Sequence, residues 1–479
     1  MSYSSPDALI DTLAEYASRP PLVSAQALAA ARLSLLDALG CLAGGLHERD
    51  LAPLLGPVVP GTSVPLGCRV PGTHYELDPI RAAFNTSALI RWLDFSDTTF
   101  RGGHPSDSIG AVLACADYVS RREQADTGGP LSVHDVLTAM VQTYEIQGVI
   151  ADSIKFDTPE VGLDAVLAVK VASAAVCTRL LGGTRRQVAD ALSNAWLDGG
   201  TLNAYRHPPN AGNRKGWAGA DAASRGVWFA LMAVQGEMGY PHPLSAKPWG
   251  FYDVVLDGKE IELRRALGSS VMENIILKLI PCQRNGSTAV EAALELHPQV
   301  APRIGDIGRI IVHTHAEAIE RIDKKGPLRN PAARDHCLQF MVSAALRFGA
   351  LRSEHYREPL ALDEKLETLR QRVEVVECPR YTRDYLDPQT LSCANAVQVE
   401  FTDGSLTPRV EVSYPAGDPS RRTEALPKVR QKFMTLAEGT WSAAQCAMIF
   451  AMSSSEGAID AMPVRDFLSS LTGGSTCTN

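Results

Sequence analysis

The chain lacks the cysteine spacing that most protein-bound metal clusters need. It has 10 cysteines among 479 residues, and no two of them lie within four residues of each other. Without a C-x-x-C pair, neither a zinc ribbon nor the usual iron–sulfur spacing is present. Several cysteines, such as Cys177, stand among apolar neighbours, so we expect reduced, buried thiols. The sequence therefore predicts no metal site and no cofactor.

The sequence also lacks an uninterrupted apolar run of the roughly 18–20 residues that a membrane-spanning helix needs. Its first residues have neither the basic segment nor the apolar core of a secretory signal. Asp7, Asp11 and Glu15 argue against a transit peptide, which is typically poor in acidic residues. The last residues do not resemble a peroxisomal address. We therefore expect a cytoplasmic protein that does not enter a membrane.

Positive charge is not in excess. The formal net charge is -8, from 46 Lys and Arg against 54 Asp and Glu, which argues against a nucleic-acid-binding surface. A composition of 45% hydrophobic and 21% charged residues is ordinary for a globular protein, and the length allows two or more domains. An anionic substrate would need a local basic pocket in this acidic chain.

Hydrophobic periodicity separates two helical ends from a mixed middle. Apolar residues recur at helical spacing in residues 24–44, 136–150, 162–181, 185–196 and 221–236. Strand patterns follow at 307–315, 373–378, 396–401 and 409–414, and the last two flank the turn sequence Thr402-Asp403-Gly404. The tail, 426–471, is again helical. We predict a mainly α protein: a large all-helical domain formed by residues 1–268 and 416–479, with an α+β domain, 269–415, inserted.

One loop carries the densest set of chemically useful side chains. Asp94-Phe95-Ser96-Asp97-Thr98 is followed six residues later by His104-Pro105-Ser106-Asp107, where Ser106 or Asp107 is placed to cap the next helix. The free N–H groups of a helix N-terminus favour bound anions. The loop therefore predicts an acid/base site for an anionic substrate. The alternative is that Asp94 and Asp97 are turn and cap residues and His104 is structural.

Three further loops, 205–217, 278–287 and 321–327, concentrate cations. Lys215 would lie just before a helix start, where the helix dipole opposes a cation, so a role in binding carboxylates explains its position better than chance. Solvent-facing basic loops are the common alternative. Together the loops favour a small polyanionic substrate. Their candidate ligands are Arg206, His207, Arg214, Lys215, Lys278, Asn285 and Lys324.

In this order the motifs resemble the MmgE/PrpD family along nearly the whole chain. The matching stretches are 91–95, 103–107, 144–148, 161–164, 192–196, 205–215, 236–241, 249–253, 322–328, 400–404 and 462–464. The resemblance implies a helical domain built from both chain ends, an α+β lid from the middle, and a homodimer. It also implies dehydration of the tricarboxylate 2-methylcitrate to 2-methyl-cis-aconitate without an iron–sulfur cluster. Decarboxylation of cis-aconitate is the sister activity in the family.

By position, the resemblance implies that Asp94, Thr98, His104, Lys215 and Lys278 are catalytic. Eliminating water from a citrate requires a base for the proton next to a carboxylate, donors for the developing charge, and an acid for the departing oxygen. We expect His104 to be one acid/base group, with Asp94 orienting it or acting as the second. The two lysines would hold carboxylates, and Thr98 would donate a hydrogen bond. Arg206, His207, Arg214, Lys324 and Asn285 are predicted to bind substrate.

Two positions depart from the family pattern. Ala165 and Asn285 stand where the family's dehydratases typically carry histidines. The smaller or neutral side chains predict a pocket for a 2-alkylcitrate with a longer chain. The ten-residue spacing from Asp94 to His104 resembles the decarboxylase branch, so a cis-aconitate-type decarboxylase is an alternative. An isomerase or cyclisation partner for alkyl maleic anhydride precursors and a non-catalytic homodimer with a degenerate pocket are the others.

Overall fold

The structure, a computed structural model, describes residues 5–122, 130–207, 210–453 and 459–473. Within these ranges the chain is mainly helical with a small amount of sheet. The α-helices in chain order are α1 Ala8–Ala17, α2 Ala25–Gly45, α3 Pro79–Arg91, α4 Ile109–Ser120, α5 Val133–Ser153, α6 Val166–Leu180, α7 Arg185–Leu197, α8 Ala218–Val234, α9 Phe251–Leu256, α10 Ser270–Glu273, α11 Ser287–Val300, α12 Ala316–Ile322, α13 Pro331–Arg334, α14 Leu338–Phe348, α15 Glu364–Gln371, α16 Pro379–Leu386, α17 Arg422–Ala437, α18 Ala443–Ala451 and α19 Val464–Ser470. The strands are β1 Cys68–Arg69, β2 Glu76–Leu77, β3 Ile307–Thr314, β4 Val373–Glu377, β5 Asn395–Phe401 and β6 Val410–Val412.

The chain divides into two compact units. The first, the helical unit, comprises the described parts of residues 1–208, 214–277 and 427–479. The second, the mixed unit, comprises the described parts of 209–213 and 278–426. The domain boundaries predicted after residues 268 and 415 stay predictions, and each lies before the nearest limit of these units.

Hydrogen bonds between residues distant in sequence tie the segments after residues 268 and 415 to their units. The backbone N–H groups of Gly268 and Val271 donate to the Glu145 carboxylate at 3.0 and 2.9 Å, which ties the segment around α10 to α5 in the helical unit. In the mixed unit, Glu291 accepts from the backbone N–H of Ala416 at 2.7 Å and from Arg421 at 2.9 Å. Hydrophobic periodicity, from which the sequence boundaries were predicted, carries no information about such bonds.

Side-chain caps fix where several helices of the helical unit begin. Ser24 accepts a hydrogen bond from the backbone N–H of Ala27 at 3.0 Å, so α2 begins where the sequence predicts. Capping boxes start α5 and α7, at Ser132 and Thr184. These helices, with α6 and α8, confirm the helices predicted in the first part of the chain within a few residues.

Small residues let the helices of this unit pack closely. A Cβ atom on Gly226 of α8 would lie 2.5 Å from the Ser173 Cβ and 2.8 Å from the backbone of Lys170, both in α6. A Cβ on Gly40 of α2 would lie 3.2 Å from the Cα of Phe433 in α17. The second contact packs a helix from near the chain's end onto one from near its beginning, within the helical unit.

The sequence predicts an all-helical domain, but the helical unit also contains a short antiparallel pair of strands. In this pair Cys68 of β1 faces Leu77 of β2. The chain reverses between them through Gly72, which has φ +74°, a left-handed conformation that glycine adopts without strain. Two residues per strand are too few to show the alternation by which a strand is recognised in a sequence.

Helix α2 is long and apolar enough to meet the length and hydropathy criteria for a membrane span. However, 83% of its most apolar window of 18 residues is buried inside the protein. Arg32 and Asp37 interrupt its apolar residues, which is why no uninterrupted run was found in the sequence. Burial on nearly every side is typical of the core helix of a folded domain.

The mixed unit is built on a four-stranded sheet in the order β4-β3-β5-β6. Strand β3 runs parallel to β4 and antiparallel to β5, and β5 and β6 are antiparallel neighbours. Helices α11 and α14 share a hydrophobic core with the sheet, through residues such as Leu296, Met341 and Val399. The four predicted strands are confirmed, and Gly404, with φ +82°, lies in the predicted turn before β6.

Candidate active site

The site begins where α3 ends. Pro79 opens this helix behind the Asp78 cap, and the helix ends at Arg91. The backbone N–H of Asp94 then donates to the Arg91 carbonyl at 3.0 Å, and Asp94 adopts φ +49°, a left-handed value that aspartate tolerates better than most residues. This turn brings the Asp94 carboxylate back to its own helix, where Arg91 Nη1 donates to Oδ1 at 2.9 Å.

Two further cationic or titratable side chains converge on the same carboxylate. His104 Nε2 lies 3.3 Å from Asp94 Oδ1, and Lys215 Nζ lies 2.9 Å from Asp94 Oδ2. Asp94 is only 4% exposed, and Arg91 and Lys215 are also buried. Ion pairs at such low exposure are little screened by solvent. The structure thus brings together three of the five predicted catalytic residues, and it adds Arg91.

Thr98 holds the loop that carries His104. Its backbone N–H donates to the Ile276 carbonyl at 2.9 Å, and its carbonyl accepts from the Ile276 N–H at 3.0 Å. Its hydroxyl donates to the Gly103 carbonyl at 2.8 Å, across the turn in which Gly102 and Gly103 have positive φ. The hydroxyl proton predicted to serve the substrate is therefore used within the loop.

Neither Ser106 nor Asp107 caps the helix that follows, so this prediction was wrong. A turn of 3-10 helix, Pro105–Ser108, precedes α4, and neither start has a side-chain cap. Instead Asp97 accepts a hydrogen bond from the backbone N–H of Ser106 at 3.2 Å and one from the Tyr144 hydroxyl at 2.7 Å. Burial raises the pKa of Asp97 to about 6, against the lowering effect of these hydrogen bonds.

The side chain of Asp107 is turned inward and is 2% exposed. Its Oδ1 lies 3.7 Å from Arg91 Nε and accepts no hydrogen bond from the described residues. Burial raises the pKa of Asp107 to about 7, although Arg91 and Arg206 act in the opposite direction. Arg91 therefore lies between two buried carboxyl groups, those of Asp94 and Asp107. Neither the buried carboxyl group of Asp107 nor the contact of Arg91 with Asp94 was predicted, because Asp107 was expected to cap a helix and Arg91 was considered only as part of the motif 91–95.

Arg206, predicted to bind substrate, is engaged by the buried Asp164. Arg206 donates to Asp164 through Nε and, at 3.3 Å, through Nη2. The Tyr205 hydroxyl and the backbone N–H of Val166 also donate to this carboxylate, at 2.6 and 3.0 Å. Burial would raise the pKa of Asp164, but Arg206 and these donors outweigh it and hold the pKa below its usual value. The Gly162-Leu163-Asp164 motif thus fixes Arg206, and Ala165 follows it directly.

The remaining predicted residues of this loop lie among other partners. Arg214 packs over the Trp217 ring at 4.3 Å and donates to Asp221 at 3.3 Å. His207 is exposed, with its Nε2 3.3 Å from the Asn203 amide nitrogen. These contacts occupy the guanidinium and the imidazole with neighbours on the helical unit.

Three predicted site residues belong to the mixed unit. Lys278 is its first residue after the helical unit and is 7% exposed, and Lys324 is half-buried. Asn285 is fully buried in a 3-10 turn, where its carbonyl accepts from the Asn395 amide at 2.9 Å. Its own Nδ2 has no hydrogen-bond partner among the described residues. The departure from histidine at this position therefore leaves a buried donor available.

A buried histidine that shares the neighbour Cys393 with Asn285 was not predicted. His315 stacks on the Tyr385 ring at 4.3 Å, and its Nε2 lies 3.6 Å from the Cys393 sulfur. Burial and the charge of Arg284 lower the pKa of His315 to about 3. This imidazole is therefore neutral throughout the ordinary pH range. Only its place at the end of a predicted strand could have drawn attention to it.

Comparison with known proteins covers almost the entire chain. Residues 11–264 match the MmgE/PrpD N-terminal domain, and residues 280–455 match the MmgE/PrpD C-terminal domain. The chain is 46% identical to the 2-methylcitrate dehydratase of Cupriavidus necator, over 97% of this chain and 96% of that protein. It is 45% identical to the 2-methylcitrate dehydratase of Escherichia coli (strain K12), over 96% of each chain. It is also 42% identical to the 2-methylcitrate dehydratase-like protein oryR of Aspergillus oryzae, over 89% of this chain and 88% of that protein. The chain therefore belongs to the MmgE/PrpD family, as its motifs predicted.

Proposed function

We propose that the protein is a 2-methylcitrate dehydratase, a lyase that removes water from 2-methylcitrate to give 2-methyl-cis-aconitate. The observation that carries this proposal is the buried Asp94 carboxylate with His104, Lys215 and Arg91 around it. Full-length similarity to relatives that bear this name supports it. Because the sequence has no cysteine pair with iron–sulfur spacing, the proposed reaction uses acid/base chemistry without a cluster.

His104 is the acid/base group in this proposal. Its imidazole is the one side chain in this cluster whose ordinary titration range lies near neutral pH. Asp94 lies 3.3 Å from Nε2, so it can orient the ring and stabilise the charged form. Arg91 and Lys215 both stabilise the ionised state of Asp94, which makes this carboxylate a weaker base. We therefore assign orientation to Asp94 and proton transfer to His104.

Lys215 is the group that meets the substrate's carboxylates. Its ammonium lies 2.9 Å from Asp94 Oδ2 and is buried. A positive charge at this place would stabilise the negative charge that develops on a substrate carboxylate as the neighbouring proton is removed. Lys278, Asn285, Lys324, Arg214 and His207 stay predictions from the sequence, as do the lid role of the mixed unit, the homodimer and the cytoplasmic location.

A longer alkyl chain on the substrate is a second proposal about the same reaction. Ala165 is half-buried at the start of α6, immediately after the Asp164 that holds Arg206. A methyl group occupies less space there than the imidazole that the family's dehydratases carry. The substitution Ala165→His should therefore lower the preference for longer 2-alkylcitrates. A preference for 2-methylcitrate in the unmodified enzyme would contradict this second proposal and leave the first intact.

The test is mass spectrometry of the products formed by purified, EDTA-treated protein. The substrates are 2-methylcitrate, a longer 2-alkylcitrate, citrate and cis-aconitate, and His104→Ala is the matched control. Loss of water without added metal supports the proposed dehydratase activity. The substrate that is converted fastest shows which alkyl length the enzyme prefers. Release of carbon dioxide from cis-aconitate, without dehydration, would replace the proposal with the decarboxylase alternative. No turnover of any substrate would favour the non-catalytic alternative.

A further inference from the structure

Asp107 is a buried carboxyl group that the proposed chemistry does not use. It is 2% exposed, and Oδ1 accepts no hydrogen bond from the described residues. A buried, ionised carboxylate without donors is strongly disfavoured, whereas the neutral acid is tolerated. The carboxyl group also lies tightly against α8, since a Cβ on Gly219 would come within 2.1 Å of Asp107 Oδ2. Packing against α8 therefore holds the carboxyl group, while the Asp107 backbone N–H donates to the His104 carbonyl at 3.0 Å and its carbonyl accepts from the Ser87 hydroxyl at 2.6 Å.

Arg91 connects this carboxyl group to the site. Its Nη1 donates to Asp94 Oδ1 at 2.9 Å, while its Nε lies 3.7 Å from Asp107 Oδ1, beyond hydrogen-bonding distance. The guanidinium is thus bonded to one carboxyl group and only near the other. If Asp107 became charged, it would attract the same guanidinium and would add one negative charge to a site built for an anion.

We propose that Asp107 is a positioning residue that acts through Arg91: as a neutral acid it leaves Arg91 to Asp94, and on ionising it draws Arg91 away and weakens tricarboxylate binding. The inference rests on the proposed function, since it concerns how the same site holds its substrate. Asp107 touches Arg91 and the backbone of α8, and it is not assigned to the reacting atoms.

The pH window follows from the groups around Asp107. They are Arg91 at the end of α3, Arg206 in the loop 205–217, Asp97 in the loop that carries Asp94, Asp164 just before α6, and Tyr144 in α5. Burial raises the pKa of Asp107 to about 7 and that of Asp97 to about 6, so Asp97 ionises first. Of these two carboxyl groups, Asp107 is therefore the one that ionises near neutral pH, and Asp107→Asn separates its effect from that of His104.

The experiment compares the wild-type enzyme with Asp107→Asn between about pH 6 and about pH 8, one unit on each side of the expected transition. For the wild type, KM for 2-methylcitrate should rise on the order of tenfold across this range, as one added charge at a distance of about 10 Å and an effective dielectric constant of about 20 implies. The kcat should change less. Asp107→Asn should keep the low KM at both pH values, because the amide cannot ionise.

A matched control lies on α4, the helix that follows the turn carrying Asp107. Asp117 is also buried, lies 3.7 Å from Arg69, and has a pKa that burial raises. Asp117→Asn should retain the wild-type rise in KM, which separates the effect of Asp107 from a general loss of buried charge. An equal rise in KM for Asp107→Asn and the wild type would overturn the inference, as would the absence of a rise in the wild type.

An infrared measurement keeps the inference testable if the variant folds poorly or the substrate proves different. The C=O stretch of a protonated carboxyl group should be present in the wild type at about pH 6 and reduced at about pH 8. The part of this band that is missing from Asp107→Asn belongs to Asp107. A band with no contribution from Asp107 would refute the neutral acid. If the wild type does not turn over 2-methylcitrate, the proposed function fails, and the affinity for citrate measured by calorimetry at the two pH values tests Asp107 separately.

Discussion

Replacing Lys432 with methionine should destabilise the helical unit, because it removes one partner of a buried ion pair with Asp37. Its ammonium donates to Asp37 Oδ1 at 2.6 Å and to the Phe95 carbonyl at 2.6 Å, and it lies 3.9 Å from the centre of the Phe95 ring. Lys432 is 8% and Asp37 is 2% exposed. Burial alone would lower the pKa of Lys432, but Asp37 outweighs it and raises the pKa. The ammonium therefore stays charged inside the protein.

The expected cost of Lys432→Met is about 3–5 kcal/mol, the usual effect of removing one partner from a buried ion pair. Methionine fills most of the volume, so the loss is electrostatic and not a cavity. The remaining Asp37 carboxylate would take up a proton more readily in the folded state than in the unfolded state. Stability that depends on this proton is present at low pH and lost as the pH rises. The variant should therefore be closest to the wild type at acid pH.

Thermal unfolding followed by circular dichroism at about pH 5 and about pH 8 tests this reasoning, with a larger Tm difference from the wild type expected at the higher pH. The double variant Asp37→Asn/Lys432→Met should lose this pH dependence. Lys325→Met is the matched control, since Lys325 is exposed and lies 3.9 Å from Asp323, and exposed pairs contribute about 0–1 kcal/mol. A Lys432→Met variant within about 1 kcal/mol of the wild type at both pH values would refute the argument.

Three further predictions concern the site and its support. His104→Ala should lower kcat for 2-methylcitrate about 10²–10⁴-fold with little change in Tm, and near-normal turnover would overturn the acid/base assignment. Lys215→Met should lower kcat/KM by about 10²-fold or more, because the positive charge next to Asp94 and the substrate is lost. Lys215→Arg, which keeps a positive charge, should recover part of this activity. Equal activity of the methionine and arginine variants would show that the positive charge is not needed. Gly110→Ala should lower Tm, because the added Cβ would lie 2.4 Å from Ser87 Oγ and 2.5 Å from the Ala83 carbonyl. Relieving these contacts would push α4 away from α3. Gly61→Ala is not a suitable comparison because Gly61 has a positive φ, whereas Gly305→Ala has open space and should leave Tm nearly unchanged.

The sequence identified the elements whose signals are local. Helix α2 begins behind Ser24, and the capping box at Thr184 starts α7, because a cap and its helix lie within a few residues of each other. The strands β5 and β6 were found through their alternation around a glycine turn. The pair β1 and β2 was missed because each strand has two residues. The hydrogen bonds from Gly268 and Val271 to Glu145 of α5 were not predicted, because their partners are more than 100 residues apart in the chain.

The sequence by itself determined that an aspartate and a histidine share one loop, and it ordered the motifs that place the chain in its family. Only the tertiary structure decided which charges meet. Lys215, from a distant loop, lies next to Asp94, and Arg206 forms an ion pair with Asp164. Arg91 lies between Asp94 and Asp107. The physical reason is that the sequence does not specify which charged side chains become neighbours. Folding brings them together and removes them from water. The energy of a buried carboxyl group then depends on which donors lie within about 3 Å of it.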